Sequence, residues 1–142
     1  MAFLTVNWLS IVVAAVAAWI FGGVYYTALS KPWLAAQGKT LEQCKQEQAG
    51  KSGLAKATPF ILAIVGELIM AWALYGILVH LNAFTIRGGL IAGVLSWFGF
   101  VLTTMTVNNA FGGHKPMLTV IDGTAWLGAL VIIGAIVGGM GR

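Results

Sequence analysis

The sequence predicts an all-α fold: a polytopic integral membrane protein, a four-transmembrane-helix bundle with a short helical loop between helices one and two. Three observations carry that expectation. Of 142 residues, 59% are hydrophobic and only 8% are charged, where soluble domains carry about 25% charged residues. The mean hydropathy is +0.90, so no water-soluble core of this size could hide the apolar surface and lipid must be the solvent for much of it. Third, residues 58–81 contain one ionisable side chain well inside the run, Glu67. At about 1.5 Å of rise per residue that run crosses a hydrocarbon core about 30 Å thick. Three further stretches share its character. One membrane domain spanning 1–142 is expected, with no room for a second.

The first span is placed at 6–29. The N-terminal stretch before it holds no Lys or Arg, which argues against a cleaved signal peptide and predicts a retained helix. Ala14, Ala18 and Gly22 recur every four residues, a small-residue stripe that allows another helix to approach closely. Trp8 near the start and Tyr25-Tyr26 near the end suit the two interfaces.

Residues 30–57 form the one long polar segment. Ser30 followed by Pro32 reads as an N-cap with proline in the first turn, and Gly38 as a stop. Thr40 and Gln43 have the spacing of a capping box opening a second short helix that Gly50 ends. Trp33 and Leu34 give the segment a foothold among lipid headgroups. The sequence GKSG from Gly50 lacks the upstream glycine and preceding strand of a phosphate loop. Cys44 is the single cysteine, so no internal disulfide can form.

The second span is placed at 58–81, with Pro59 in its first turn. A tight connection at 82–87 leads to the third span at 88–107, where Gly89 and Gly93 match a small-xxx-small pair. A polar turn at 108–116 delivers the fourth span at 117–140, which carries Asp122 and the Gly134/Gly138 pair.

Charge sets the orientation. Lys31, Lys39, Lys45, Lys51, Lys56 and Lys115 fall in two short loops, and only Arg87 and Arg142 on the other face. The positive-inside bias therefore predicts that loops 30–57 and 108–116 are cytoplasmic and that both termini lie outside a bacterial inner membrane. The net charge of +4 arises from that loop and suits an anionic membrane face, not a nucleic acid.

Counting residues along the spans puts Glu67 and Asp122 at similar depth, roughly 9–14 Å below the cytoplasmic surface. Thr103, Thr104, Thr106, Asn108 and Asn109 occupy the same half on helix three, and Tyr25, Tyr26 and Thr27 on helix one. Along helix four, Lys115, Thr119, Asp122 and Trp126 share a face by spacing. Converging, these faces would make a polar pocket open to the cytoplasm, with Glu67, Asp122, Tyr26, Thr104 and Asn108 as ion- or substrate-binding candidates. Two carboxylates there cannot both stay charged without a cation or basic group between them. The plainer account stays open beside it: each acid is structural, hydrogen-bonded to an Asn, Thr or indole N–H on a neighbouring helix. Trp19, Trp72, Trp97 and Trp126, one near mid-depth in each helix, are the indoles so placed.

His80 and His114 fall on opposite faces and cannot share a metal ion. No catalytic or dinucleotide motif is present, so no cofactor and no enzymatic activity are expected. The small-residue stripes on helices one, three and four exceed what one bundle needs, which predicts self-association. Two functions follow: a homo-oligomeric transporter or ion-binding protein, or a scaffold or accessory subunit that docks a protein partner at loop 30–57.

The segment VNWLSIVVAAVAAWIFGGVYYTALSKPW resembles the opening of the bacterial membrane proteins grouped as domain-of-unknown-function family 1761. There an Asn-aromatic pair precedes an alanine-rich helix ending in an aromatic-Tyr pair and a Lys-Pro/Ala-Trp turn. The second half, from GGLIAGVLSWFGF to the C-terminal glycines, is similar in its glycine-rich third helix, Thr/Asn run, basic turn and early polar residue on helix four. The resemblance covers nearly the whole chain and implies four spans, with no activity attached. Asn7, Trp8, Tyr25, Tyr26, Lys31, Trp33, Asn108 and Asp122 match its polar signposts; Glu67 does not fall on the pattern.

Overall fold

The fourth span organises the molecule. In the computed structural model, which describes residues 5–142, the order is α1 (Trp8–Ala28), α2 (Ser30–Ala36), α3 (Leu41–Ala49), α4 (Gly53–Leu81), α5 (Ile86–Ser96), a π-helical segment (Trp97–Leu102), α6 (Thr103–Phe111) and α7 (Pro116–Met140). No strand occurs among the described residues. The basic-residue-free N-terminal start lies partly outside them. Four helical stretches are long and apolar enough to cross a membrane: α1, α4, α5 through α6, and α7. The chain is a multi-pass, all-helical membrane protein.

α7 packs against α5, α1 and α4 in turn and supplies the largest buried share of the four spans. The reason is its glycines. A Cβ added at Gly89 would run into the Gly134 carbonyl, one at Gly134 into the Gly89 carbonyl, and one at Gly138 into the Thr85 carbonyl. Gly93 lies against the Leu130 carbonyl in the same way, 2.5 Å from where its Cβ would sit. Backbone thus meets backbone along α5 and α7, the close approach that drives helix association where lipid removes the hydrophobic incentive. Ala14 and Ala18 of α1 are fully buried in the core with Leu74, Leu78, Ile133 and Val137. Gly22 stands apart, with nothing near it.

Asn7 closes the end that carries the termini. Its Oδ1 accepts from Ser10 N at 3.1 Å to cap α1, and its Nδ2 donates to the Met140 carbonyl at 2.7 Å. Tyr75 Oη accepts from Asn7 N at 3.2 Å, which ties α4 to the same point. The Arg87 turn lies at this end too, and loops 30–57 and 108–116 share the other, here called the lysine end.

Several boundaries move. α4 begins at Gly53 rather than at 58, because Ser52 caps it by accepting from Ala55 N. Pro59 therefore sits in the helix interior, where it removes the donor that Ala55 O would receive. α2 begins at Ser30 with Leu29 at the cap position and no side-chain cap. The Thr40–Gln43 capping box forms in both directions, and Gly38 ends the turn before it at φ +73°. The third span runs on to Phe111, with the π-helical segment in its middle.

Candidate functional sites within the bundle

The two membrane-embedded acids occupy separate places. Glu67 lies on the face of α4 that also buries Ala71, Leu74, Tyr75 and Leu78, the spacing of one helical stripe. That stripe packs against α1 and α7. Glu67 is 4% exposed, and its Oε2 has no hydrogen-bond partner. A buried unpaired carboxyl group costs several kcal/mol on any scale that lacks compensating hydrogen bonds, and an ionised one far more.

Asp122 is held quite differently. The Tyr26 hydroxyl donates to Oδ1 at 2.6 Å and the Trp33 indole N–H donates to the same oxygen at 3.1 Å. Tyr25 Oη donates to the neighbouring Ile121 carbonyl at 2.8 Å. The rings pack edge-to-face, Tyr25 on Tyr26 at 5.3 Å and Tyr26 on Trp33 at 5.4 Å between centroids. Ala36, Leu118 and Ile121 complete a small apolar cluster beneath them. Lys115 Nζ donates to the Ala35 carbonyl at 3.3 Å, a second tie between α2 and the start of α7. The cluster is a latch that folds the interfacial helix α2 back onto the bundle.

The single pocket expected to hold both acids does not form. Both α4 and α7 start at the lysine end, but Glu67 is fourteen residues along its helix and Asp122 only six along its own. Cross-links between spans agree. Trp19 Nε1 donates to the Phe60 carbonyl at 3.1 Å, and from that rung Glu67 and Tyr26 lie seven residues away in opposite directions. The axial separation of the two acids is on the order of 15 Å. Reading α4 from 58 instead of 53 placed Glu67 too shallow.

Of the remaining candidates, Tyr26 is brought to Asp122, while Thr104 and Asn108 are exposed on α6. It is Asn109 that turns inward, with Nδ2 donating to Thr119 Oγ1 at 3.0 Å. Trp97 donates to the Gly123 carbonyl at 2.7 Å and Trp19 to Phe60. The indole that meets an acid is Trp33, from the loop. Among the described residues no three His, Cys, Asp or Glu side chains converge.

These features define a small helical membrane protein with one unpartnered acid in its core and one latched acid near a surface. A family model described as a protein of unknown function, DUF1761, matches residues 9–138, and the chain belongs to that family. No curated protein and no solved structure matches it. Of the polar signposts read in the sequence, Tyr25, Tyr26, Trp33 and Asp122 are the latch, and Asn7, just outside the matched residues, is the clamp at the opposite end.

Proposed function

We propose that this protein binds a proton or a monovalent cation at Glu67 and takes part in transport across a bacterial inner membrane. The observation that carries the reading is the carboxyl itself, 4% exposed with Oε2 unpartnered. A bare carboxylate is not tolerated in such a place, so the group is occupied by a proton or by a bound cation. Moving that occupant on and off is the work a solitary intramembrane acid is suited to. Asp122 and Tyr26 belong to the latch on this reading, and Thr104 and Asn108 take no part.

Infrared difference spectra of the protein in liposomes, taken between acidic and alkaline buffer, test it. A protonated-carboxyl band that disappears in Glu67→Gln and survives in Asp122→Asn is expected; identical spectra for wild type and Glu67→Gln overturn it. Flux is read with an entrapped pH dye under an imposed potential, and Glu67→Gln is expected to abolish it.

The lysine end is assigned to the cytoplasm, beside the anionic leaflet, with both termini outside. Cys44, a partly exposed free thiol, supplies the check. A membrane-impermeant maleimide is expected to label it in inside-out vesicles and not in intact spheroplasts. Self-association is assigned to the outer faces of α1 and α4, where Gly22, Gly23, Gly66 and Gly76 have no atom within 4 Å. The α5 and α7 glycines are spent inside the bundle.

A second reading, an accessory subunit that docks a partner through loop 30–57, is favoured by α3. That helix buries no residue and makes no substantial packing with the spans. A stoichiometric companion protein after mild-detergent purification supports it.

A further inference from the structure

Above the π-helical segment, towards the termini, α5 and α7 touch backbone to backbone; below it, the same two spans part. The opening is a cleft of about 390 Å³, within the usual size of small-molecule sites, about 300–1,000 Å³. Trp97 and Gly123 form its floor, joined by the indole-to-carbonyl bond. Thr106 and Asn109 line one wall and Thr119 and Thr124 the other, with His114 at the mouth by the lysine end. Leu102 and Val120 supply apolar surface between them.

The polar groups on the walls of the cleft are hydroxyls and one amide, with no Lys, Arg, Asp or Glu among its lining residues, and their hydrogen bonding is half used. Thr106 and Thr124 donate to the Leu102 and Val120 carbonyls in their own helices, at 2.6 and 2.7 Å; the Thr106 oxygen is left as an acceptor, while Thr124 also meets the Tyr25 hydroxyl. Thr119 Oγ1 accepts from Asn109, which leaves the Thr119 hydroxyl proton to donate and the Asn109 carbonyl to accept. A charged head would be desolvated here without a counter-charge; a hydroxyl or carbonyl group would find both donor and acceptor. Because the cleft opens sideways between two membrane spans, an apolar tail can leave it directly into lipid.

We infer that the cleft binds a membrane amphiphile with an uncharged head carrying hydroxyl or carbonyl groups, the head between Asn109 and Thr119 and the tail passing out between the third and fourth spans. A neutral glyceride and an isoprenoid quinone share that chemistry. The inference stands on the cleft alone and does not depend on Glu67.

The full chain, reconstituted in nanodiscs, is photolabelled with a diazirine-tailed monoacylglycerol and with its phosphoglycerol counterpart, and adducts are mapped by mass spectrometry. Saturable labelling of residues 102–110 and 119–124 by the neutral probe, in preference to the anionic one, is expected. Displacement by unlabelled diacylglycerol names a glyceride as the source, and displacement by an isoprenoid benzoquinone names a quinone. Thr119→Val keeps the shape and removes the hydroxyl, and is expected to cut labelling about fivefold, the loss of one hydrogen bond of about 1 kcal/mol. Thr106→Leu fills the cleft and does the same by bulk; Leu95→Ala, on an exposed face of α5 away from the cleft, leaves labelling unchanged. Equal labelling by both probes, non-saturable labelling spread over all outward faces, or full labelling of a correctly folded Thr119→Val protein overturns the inference.

Discussion

At the termini end the third and fourth spans meet through Gly89, Gly93, Gly134 and Gly138, and Asn7 ties the start of α1 to the end of α7. At the lysine end the same two spans diverge and meet by side chain, Asn109 to Thr119, while Tyr26 of α1 and Trp33 of α2 reach Asp122 of the fourth span. The first arrangement gives dispersion and close fit with almost no polar cost. The second keeps hydroxyls, amides and a carboxylate near the hydrocarbon, where each must be satisfied or occupied. The difference teaches where to look for stability and where for function, since a bundle needing only to stand in lipid would carry the glycine seam along its full length.

The contrast is broken most severely by a side chain in the seam. Gly89→Val forces apart two backbones already in contact and is expected to cost more than about 3 kcal/mol, read as loss of the folded fraction in a detergent unfolding titration. Gly99→Val, in the π-helical segment with open space around it, is expected to stay within about 0.5 kcal/mol. Removing the latch comes next. Asp122→Ala leaves the Tyr26 hydroxyl and Trp33 N–H without their acceptor, for about 2 kcal/mol; amide exchange should accelerate at 30–37 while residues 7–15 stay protected. Equal acceleration at both ends would show that the two ends are not independent.

A smaller effect is expected at the clamp, where Asn7→Ala loses a helix cap worth about 1 kcal/mol and frays the first turn of α1 and the last of α7 together. The smallest belongs to Lys39 and Glu47, whose 3.0 Å ion pair is 40% and 50% exposed. Neutralising either should change thermal stability by about 0.5 kcal/mol or less, and less still in high salt.

The spans were legible because hydropathy accumulates over some twenty residues and tolerates errors at the ends. Depth was less so. A five-residue error at the start of α4, hidden by Lys56 and Pro59, moved Glu67 roughly 7–8 Å toward the lysine end. Trp33 reads naturally as a headgroup foothold, and nothing in its spacing reveals that α2 folds back to place its indole on Asp122, eighty-nine positions later. The choice of Thr104 and Asn108 over Thr106 and Asn109 failed for another reason: counting faces at 3.6 residues per turn cannot cross a π-helical segment without losing phase.

That segment has a consequence for how the chain can change. A π turn holds a surplus residue relative to regular helix, and each residue of an α-helix turns it through about 100°. Winding the stretch from Trp97 to Leu102 as regular α-helix at its present length would swing everything as far as Phe111 about a quarter turn around its axis. Asn109 would then leave Thr119 behind, so one absorbed residue decides which side chains the lysine-end half of the third span shows to its neighbour.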